Sequence, residues 1–183
     1  EFRKLADAAW PEIAKAPSPA AAVPLINALL DKLETSHTRV FTPDDVEYTI
    51  ISDVFSRQRG SKTWASPNLL ASAGFFTARI EGRDHVNAIL DGSPAAQVDL
   101  KVGDEIVEVD GAKYHPVRSF KDRVGQSVTL SIRRDRDGPV LNVSVPVIAM
   151  QPSMAFDRAM EASARVIERA GKRIGYVHVW HMR

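Results

Sequence analysis

Ala88-Ile-Leu-Asp-Gly-Ser-Pro-Ala-Ala-Gln-Val-Asp-Leu-Lys-Val-Gly-Asp-Glu-Ile-Val-Glu-Val-Asp-Gly111 is the stretch that decides the fold. Asp91-Gly92 breaks a strand, Ser93 can cap a helix, and Pro94 suits a first helical position, where an amide would lack a partner anyway. A short helix is therefore expected to follow. Leu100 and Val102 flank a Lys-Val-Gly-Asp turn. Ile106, Val107 and Val109 then read as a strand buried on both faces, closed by the Asp110-Gly111 turn.

The flanking sequence extends this unit over 74–148. Upstream, Gly74-Phe75-Phe76 leads into a strand running from Thr77 to Ile80. Successive strand side chains point to opposite faces, so one of the two Phe rings is expected in the core and the other along an outer surface. Downstream, 116–124 is expected to be a second helix. Val128, Leu130 and Ile132 alternate with Thr129, Ser131 and Arg133, and Leu141, Val143, Val145 and Val147 repeat the pattern after the polar turn at 135–139. Two half-buried strands follow from that alternation. Arg133, Arg134 and Arg136, interleaved with Asp135 and Asp137, read as a solvated hairpin tip.

In its order and spacing this unit resembles a bacterial PDZ domain, a partly open β-barrel with two helices. The resemblance implies that Gly74, Phe75 and Phe76 form the loop whose amides hold a peptide's terminal carboxylate. Thr77, Ala78 and Ile80 would pair with the peptide as it adds to the sheet edge, and Val117, Phe120 and Val124 would form the opposite wall of the groove. The implied partners are protein or peptide C-termini.

Composition is consistent with a globular chain. The protein has 183 residues, 44% of them apolar and 26% charged. With 24 basic against 23 acidic residues the net charge is +1, which gives no reason to expect a nucleic-acid or membrane-surface partner. The absence of Cys excludes disulfides and thiolate chemistry. No stretch reaches the roughly twenty apolar residues of a spanning helix, so no membrane insertion is expected. The first residue is Glu and no signal peptide is recognisable, as expected of a mature product or an excised fragment.

Residues 1–60 are expected to be helical and 61–73 to be a connection. One helix starts at Ser18-Pro19 or Val23-Pro24 and carries Ile26, Leu29, Leu30 and Leu33 as an apolar stripe. A second starts at Thr42-Pro43-Asp44-Asp45, with Thr42 as cap and Val46, Ile50, Ile51, Val54 and Phe55 as its buried face. Arg57 opens the connection, in which Trp64, Leu69 and Leu70 are expected to provide some anchorage. Between the two helices, Ser36-His37 sets a hydroxyl beside an imidazole, on a loop where a scaffold can present functional groups. In 149–183, Pro152-Ser153 opens a helix whose stripe is Phe156, Met160, Ser163, Ile167 and Ala170, ended by Gly171. Ile174-Gly-Tyr-Val177 then reads as a strand continuing toward Met182.

A helix ending in Thr35-Ser-His-Thr38, another helix, a PDZ-like unit, and then the Lys172-Arg-Ile-Gly-Tyr176 strand together resemble the front of the C-terminal processing (tail-specific) serine proteases and the related tricorn core. The resemblance covers most of 19–182. It implies an α+β chain: an N-terminal helical segment, the PDZ-like barrel, then a helix and the first strand of a truncated α/β protease core. It places the enzyme outside the cytoplasm, in the periplasm or beyond. In a tricorn-like relative His37 would be the catalytic base and Ser36 its neighbour; in the tail-specific branch a Lys takes that role. No motif here matches the nucleophile, so this chain is expected to bind without cleaving, and a non-catalytic PDZ adaptor is the alternative. The final strand is expected either to fold back on the helical segment or to form a homodimer.

Other candidates carry less. His178 and His181, three apart on a strand, would project to opposite faces and make a poor metal pair. His85 and His115 read as solvated, and Asp104-Glu105 as turn acids. No metal site, phosphate loop or nucleotide fingerprint is present in the sequence, and no cofactor is expected.

Overall fold

The computed structural model describes residues 1–35, 37–56 and 69–182. The chain divides into two units, Glu1–Tyr48 and Thr49–Arg183. The mixed helix and sheet architecture expected from sequence is the one observed, with four α-helices among the described residues and a PDZ-like sheet. No helix among the described residues is long and apolar enough to cross a membrane.

In the first unit, α1 (Phe2–Ala14) precedes α2 (Pro19–Leu30). The helix α1 lies within the expected helical region 1–60 although no start was assigned to it, and it carries Pro11 and no fully buried residue. For α2 the Ser18-Pro19 start is the correct one: Ser18 Oγ accepts from the Ala21 amide, and Pro19 occupies the first turn. Leu29 of the stripe is buried, while Ile26, Leu30 and Leu33 are half-buried. The helix α3 (Val46–Ser56) begins later than expected. Thr42 does not cap it. Instead, its amide and hydroxyl both donate to Asp45 Oδ2, at 2.7 and 2.8 Å, closing a separate turn ahead of the helix. Val46, Ile50 and Val54 are half-buried, Ile51 is exposed, and the side chain of Phe55 lies outside the described residues, as do Arg57, Trp64 and the rest of 57–68.

The second unit is built on one antiparallel sheet. Its strands are β2 (Phe75–Ile80), β3 (Arg83–Ile89), β4 (Glu105–Val109), β6 (Ser127–Arg133) and β7 (Val140–Pro146), hydrogen-bonded in the order β2-β3-β4-β6-β7. The short β5 (Ala112–Lys113) pairs with β4 across the Asp110-Gly111 turn, where both residues have positive φ as a tight two-residue hairpin requires. A two-stranded sheet joins β1 (Leu70–Ser72) to β8 (Ile148–Met150), and Leu70 is buried there. Phe75, Val86, Ile106, Val109, Leu130, Ile132 and Val145 supply the core.

Three details differ from the sequence reading. Val107 is not buried on both faces, because a bulge between Ile106 and Glu108 inserts it as an extra residue and only Ile106 and Val109 reach the core. The segment 116–122 is a run of turns rather than a helix. The short helix after Ser93 is a single 3-10 turn, Ala95–Gln97.

The largest correction lies near the C-terminus. Helix α4 (Pro152–Ser163) stops at Ser163, and Ile167 and Ala170 do not continue its stripe. Instead β9 (Arg165–Arg169) turns at Ala170-Gly171 into β10 (Lys172–Tyr176), an antiparallel hairpin. Ala170 and Gly171 both have positive φ, the signature of a two-residue hairpin turn. The Ser163 hydroxyl explains the stop: it donates to Met160 O and accepts from the His178 amide, both at 2.8 Å, clamping the helix end to the returning chain. The last strand thus pairs with β9 of its own chain, not with the helical segment, and it ends at Tyr176 instead of continuing toward Met182.

Two buried carboxylates hold distant segments together. Asp53, on α3 and 3% exposed, accepts from the Ser153 amide at 2.8 Å and from Gln151 Nε2 at 2.9 Å. It supplies from another helix the N-terminal cap that Gln151 does not provide for α4, and its charge lies at the favourable end of the helix dipole. Asp104, 1% exposed, accepts from the Lys101 amide at 2.9 Å and from Arg134 Nε and Nη2 at 2.9 and 3.0 Å. Arg134 also grips Asp99, whose carboxyl is held below its usual pKa first by that bond and then by Lys101. The Arg134 of the expected solvated tip is therefore a structural clamp. Asp104→Ala leaves the guanidinium and the Lys101 amide without their acceptor. It is expected to cost about 3 kcal/mol, measured as a fall in chemical-denaturation stability at neutral pH.

Candidate functional site

The edge strand β2 is fixed by the loop in front of it. Gly74 O accepts from the Leu90 amide at 2.9 Å and from Ser93 Oγ at 3.1 Å, and Ala73 O accepts from the Ala95 amide at 2.9 Å. Gly74 adopts φ +87°, and a Cβ there would collide with the Ser93 side chain, so only glycine fits. The Gly74 amide donates to Ser72 Oγ at 3.0 Å. It is thus engaged inside the loop, which differs from the expectation that it would face a ligand.

The ladder shows which backbone groups of β2 face outward. The Leu90 amide bonds Gly74, whereas the Val86 amide bonds Asp104 O on the opposite side. Phe75 pairs with Ile89 and Thr77 with Val86 in register. Residues of an antiparallel pair alternate between exchanging hydrogen bonds and pointing them away. Phe75, Thr77 and Arg79 therefore direct their amides and carbonyls to the open edge. Among the described residues no strand pairs with that edge.

Side chains divide as the alternation requires. Phe75 enters the core, its ring 6.4 Å from Tyr114 and 5.9 Å from Phe120. Phe76 takes the other face and meets Phe156 of α4 at 6.2 Å. Thr77 is half-buried and its Oγ1 lies 3.2 Å from the Tyr114 hydroxyl. Ala78 is half-buried and Ile80 exposed. Of the expected opposite wall, Phe120 is 3% exposed and packs into the core, Val117 is half-buried, and Val124 is exposed in the following turn. His115 anchors this wall: its Nδ1 accepts from the Val117 and Arg118 amides, each at 3.3 Å, so it is a turn cap rather than a merely solvated residue.

The remaining candidates are placed as follows. His37 lies on an exposed loop of the first unit; Ser36 lies outside the described residues. That loop is tied to α2 by Asn27, whose side chain pairs with both the amide and the carbonyl of Val40, at 2.8 and 3.0 Å. Thr35 Oγ1 bonds Thr38 Oγ1 at 2.7 Å. His178 and His181 are not on a strand: His178 stacks on Trp180 at 4.1 Å, and His181 Nε2 lies 2.9 Å from Asp157 Oδ1. His85 Nδ1 lies 3.2 Å from Gly103 O. Among the described residues no cluster of three or more His, Asp or Glu could hold a metal. Sequence reasoning missed the roles of Tyr114 and Phe156, which act on residues distant in the chain, and of Ser72, whose bond to the Gly74 amide is local but carries no motif.

The PDZ domain family model matches residues 74–147. These residues are a PDZ domain. No curated protein matches the chain. Similar solved structures include the PDZ domain of a carboxy-terminal protease from Vibrio cholerae in complex with a peptide, at 18% identity and TM-score 0.38, covering 45% of this chain and 97% of that one. They also include the photosystem II D1 C-terminal processing protease, at 18% identity and TM-score 0.45, covering 79% of this chain and 36% of that one. A putative S41 protease from Bacteroides fragilis has 16% identity and TM-score 0.35, covering 78% of this chain and 40% of that one. The chain thus spans well under half the length of these two proteases.

Tyr114, which supports the PDZ edge strand, is 6% exposed, and burial pushes its phenol well above the ordinary value. A raised folded pKa contributes stability that is complete below the unfolded value of about 10 and is lost as pH rises toward the folded value. Melting temperature is therefore expected to drop between about pH 9.5 and pH 11.5, with a shallower drop in Tyr114→Phe.

Proposed function

We propose that the PDZ domain captures the C-terminal ends of polypeptides as an added strand on β2. One observation carries this reading: the open edge of β2 presents the backbone groups of Phe75, Thr77 and Arg79 in continuous alternation. Each main-chain bond contributes about 0.5–1.5 kcal/mol net. A handful of them, with one apolar side chain beside Phe75, corresponds to a dissociation constant of about a micromolar. The loss of a charge-assisted bond distinguishes a free C-terminus from its amide. In fluorescence anisotropy, a peptide with a free apolar C-terminus is expected to bind about 10- to 100-fold tighter than the amidated peptide. Equal binding of both would remove the carboxylate from the reading.

In the same proposal the chain is the substrate-capturing part of a larger extracytoplasmic serine peptidase that processes C-terminal tails. The supports are the sequence features already described: Thr35-Ser-His-Thr38, the helix after it, the PDZ domain, and Ile174-Gly-Tyr176. In this reading His37 is the base if the enzyme is tricorn-like. His37→Ala in the complete enzyme is then expected to lower kcat by about a hundredfold or more while peptide affinity for the PDZ domain stays unchanged. Unchanged turnover would assign the base elsewhere.

The pairing of β10 with β9 favours a second reading, a PDZ adaptor without catalytic function. β10 forms its ladder with β9 of the same chain, so the strand does not depend on a sheet supplied by a protease core. A cleavage assay on the complete protein with the free-acid peptide separates the two: turnover supports the peptidase, and binding without turnover supports the adaptor.

A further inference from the structure

Beyond β2 the same face of the sheet carries a cleft of about 190 Å3, to which Ile80, Arg83, Glu105, Arg133 and Arg136 contribute. Its position follows from register. Ile80 pairs with Arg83, Ala78 with His85, His85 with Glu105, and Glu105 with Arg133. Directly opposed residues share a face, so these side chains form a band on the face that also carries Phe76, away from the core. The cleft therefore opens beside the far end of the edge strand that the proposed peptide would follow.

Its charges are unevenly satisfied. Arg133 Nη1 lies 2.9 Å and Arg83 Nη1 3.5 Å from the same oxygen, Glu105 Oε2. Two guanidiniums thus converge on one largely buried carboxylate, an excess of positive charge on the cleft floor. Arg134 is engaged by Asp104 and Asp99, and at the exposed rim Arg136 stands 3.6 Å from Glu81. Asp135 lines the rim as well, and His85 is held near Gly103 O. Planar guanidiniums recognise carboxylates through paired donors, and Arg83 and Arg133 retain donors beyond the single contact each makes with Glu105.

We infer that this cleft is a second recognition site that takes an acidic side chain of the bound peptide, upstream of its C-terminus. The inference rests on the strand-addition reading given above. If the last peptide residue pairs with Phe75, antiparallel pairing brings the residue about five positions earlier opposite Ile80. That residue faces the Arg83 and Arg133 side of the sheet, whereas the terminal residue faces the core side. The preferred ligand is then a chain ending in an apolar residue with Glu or Asp about five residues before it.

The test uses one free-acid peptide made with Glu, Gln or Lys at that position, each also prepared as the amide, with anisotropy as readout. The Glu peptide is expected to bind about fivefold tighter than Gln, and Lys more weakly than Gln, with the differences shrinking at about 0.5 M salt. Arg83→Gln, at a side chain 43% exposed, is expected to remove most of the Glu preference while leaving the melting temperature and the acid-over-amide preference intact. Equal binding of Glu, Gln and Lys peptides, with the acid-over-amide preference retained, overturns the cleft assignment alone. Failure of every peptide to bind overturns the strand-addition reading and this inference with it. A Glu preference that survives Arg83→Gln and Arg133→Gln, each shown to be folded, also overturns it.

Discussion

The packing of Gly74 against Ser93 sets the geometry of everything around the edge strand. Three carbonyl contacts and one internal amide bond lock residues 72–75 to 90–95, in a space with no room for a side chain at position 74. With that loop fixed, Phe75 must enter the core against Tyr114 and Phe120, and Phe76 must leave it toward Phe156. The alternation of backbone groups along β2 follows from the same constraint, so one close approach determines both the core and the presented edge.

Buried charge performs a different task. Asp104 and Asp53 each satisfy main-chain amides and long side chains that come from far away in sequence. Neither carboxylate faces a cleft in a way that would suit acid-base chemistry. Both oxygens of each are hydrogen-bonded, which orients turns and helix ends. The fold thus uses its buried acids to join segments and leaves the recognition edge to backbone groups.

Much of this was legible in the sequence. The Gly-Ser-Pro-Ala turn, the Gly-Asp-Glu-Ile strand and the Asp-Gly hairpin each announce themselves through local chemistry, and alternation along 128–132 and 141–147 specified two strands. What failed were readings that tertiary contacts override. The spacing of Phe156, Met160, Ser163, Ile167 and Ala170 fits a helix, yet Arg165-Val-Ile-Glu-Arg169 is also a strand sequence, and the Ser163 bonds decide between them. Phe120 was placed in a groove wall because its neighbours belong to that wall, but its bulk is better used in the core. The cleft at Arg83 and Arg133 was invisible because its residues come from four strands, and a basic hairpin tip reads as solvated until the register is known. Asn27, which fixes the His37 loop, carries no motif at all.

The hairpin of β9 and β10 has a consequence for how the second unit responds to perturbation. Every residue of both strands is exposed, including Val166 and Ile174, and the main cross-strand cohesion beyond the ladder is Arg165 stacked 4.3 Å over Tyr176. A two-stranded ribbon of this kind contributes almost nothing to the buried apolar area and is marginal by itself. Its amides can open to solvent without disturbing the PDZ core, so the unit has a low-energy local excursion separate from global unfolding. The clamp at Ser163 bounds that excursion, because it ties the helix end to the chain returning from the ribbon.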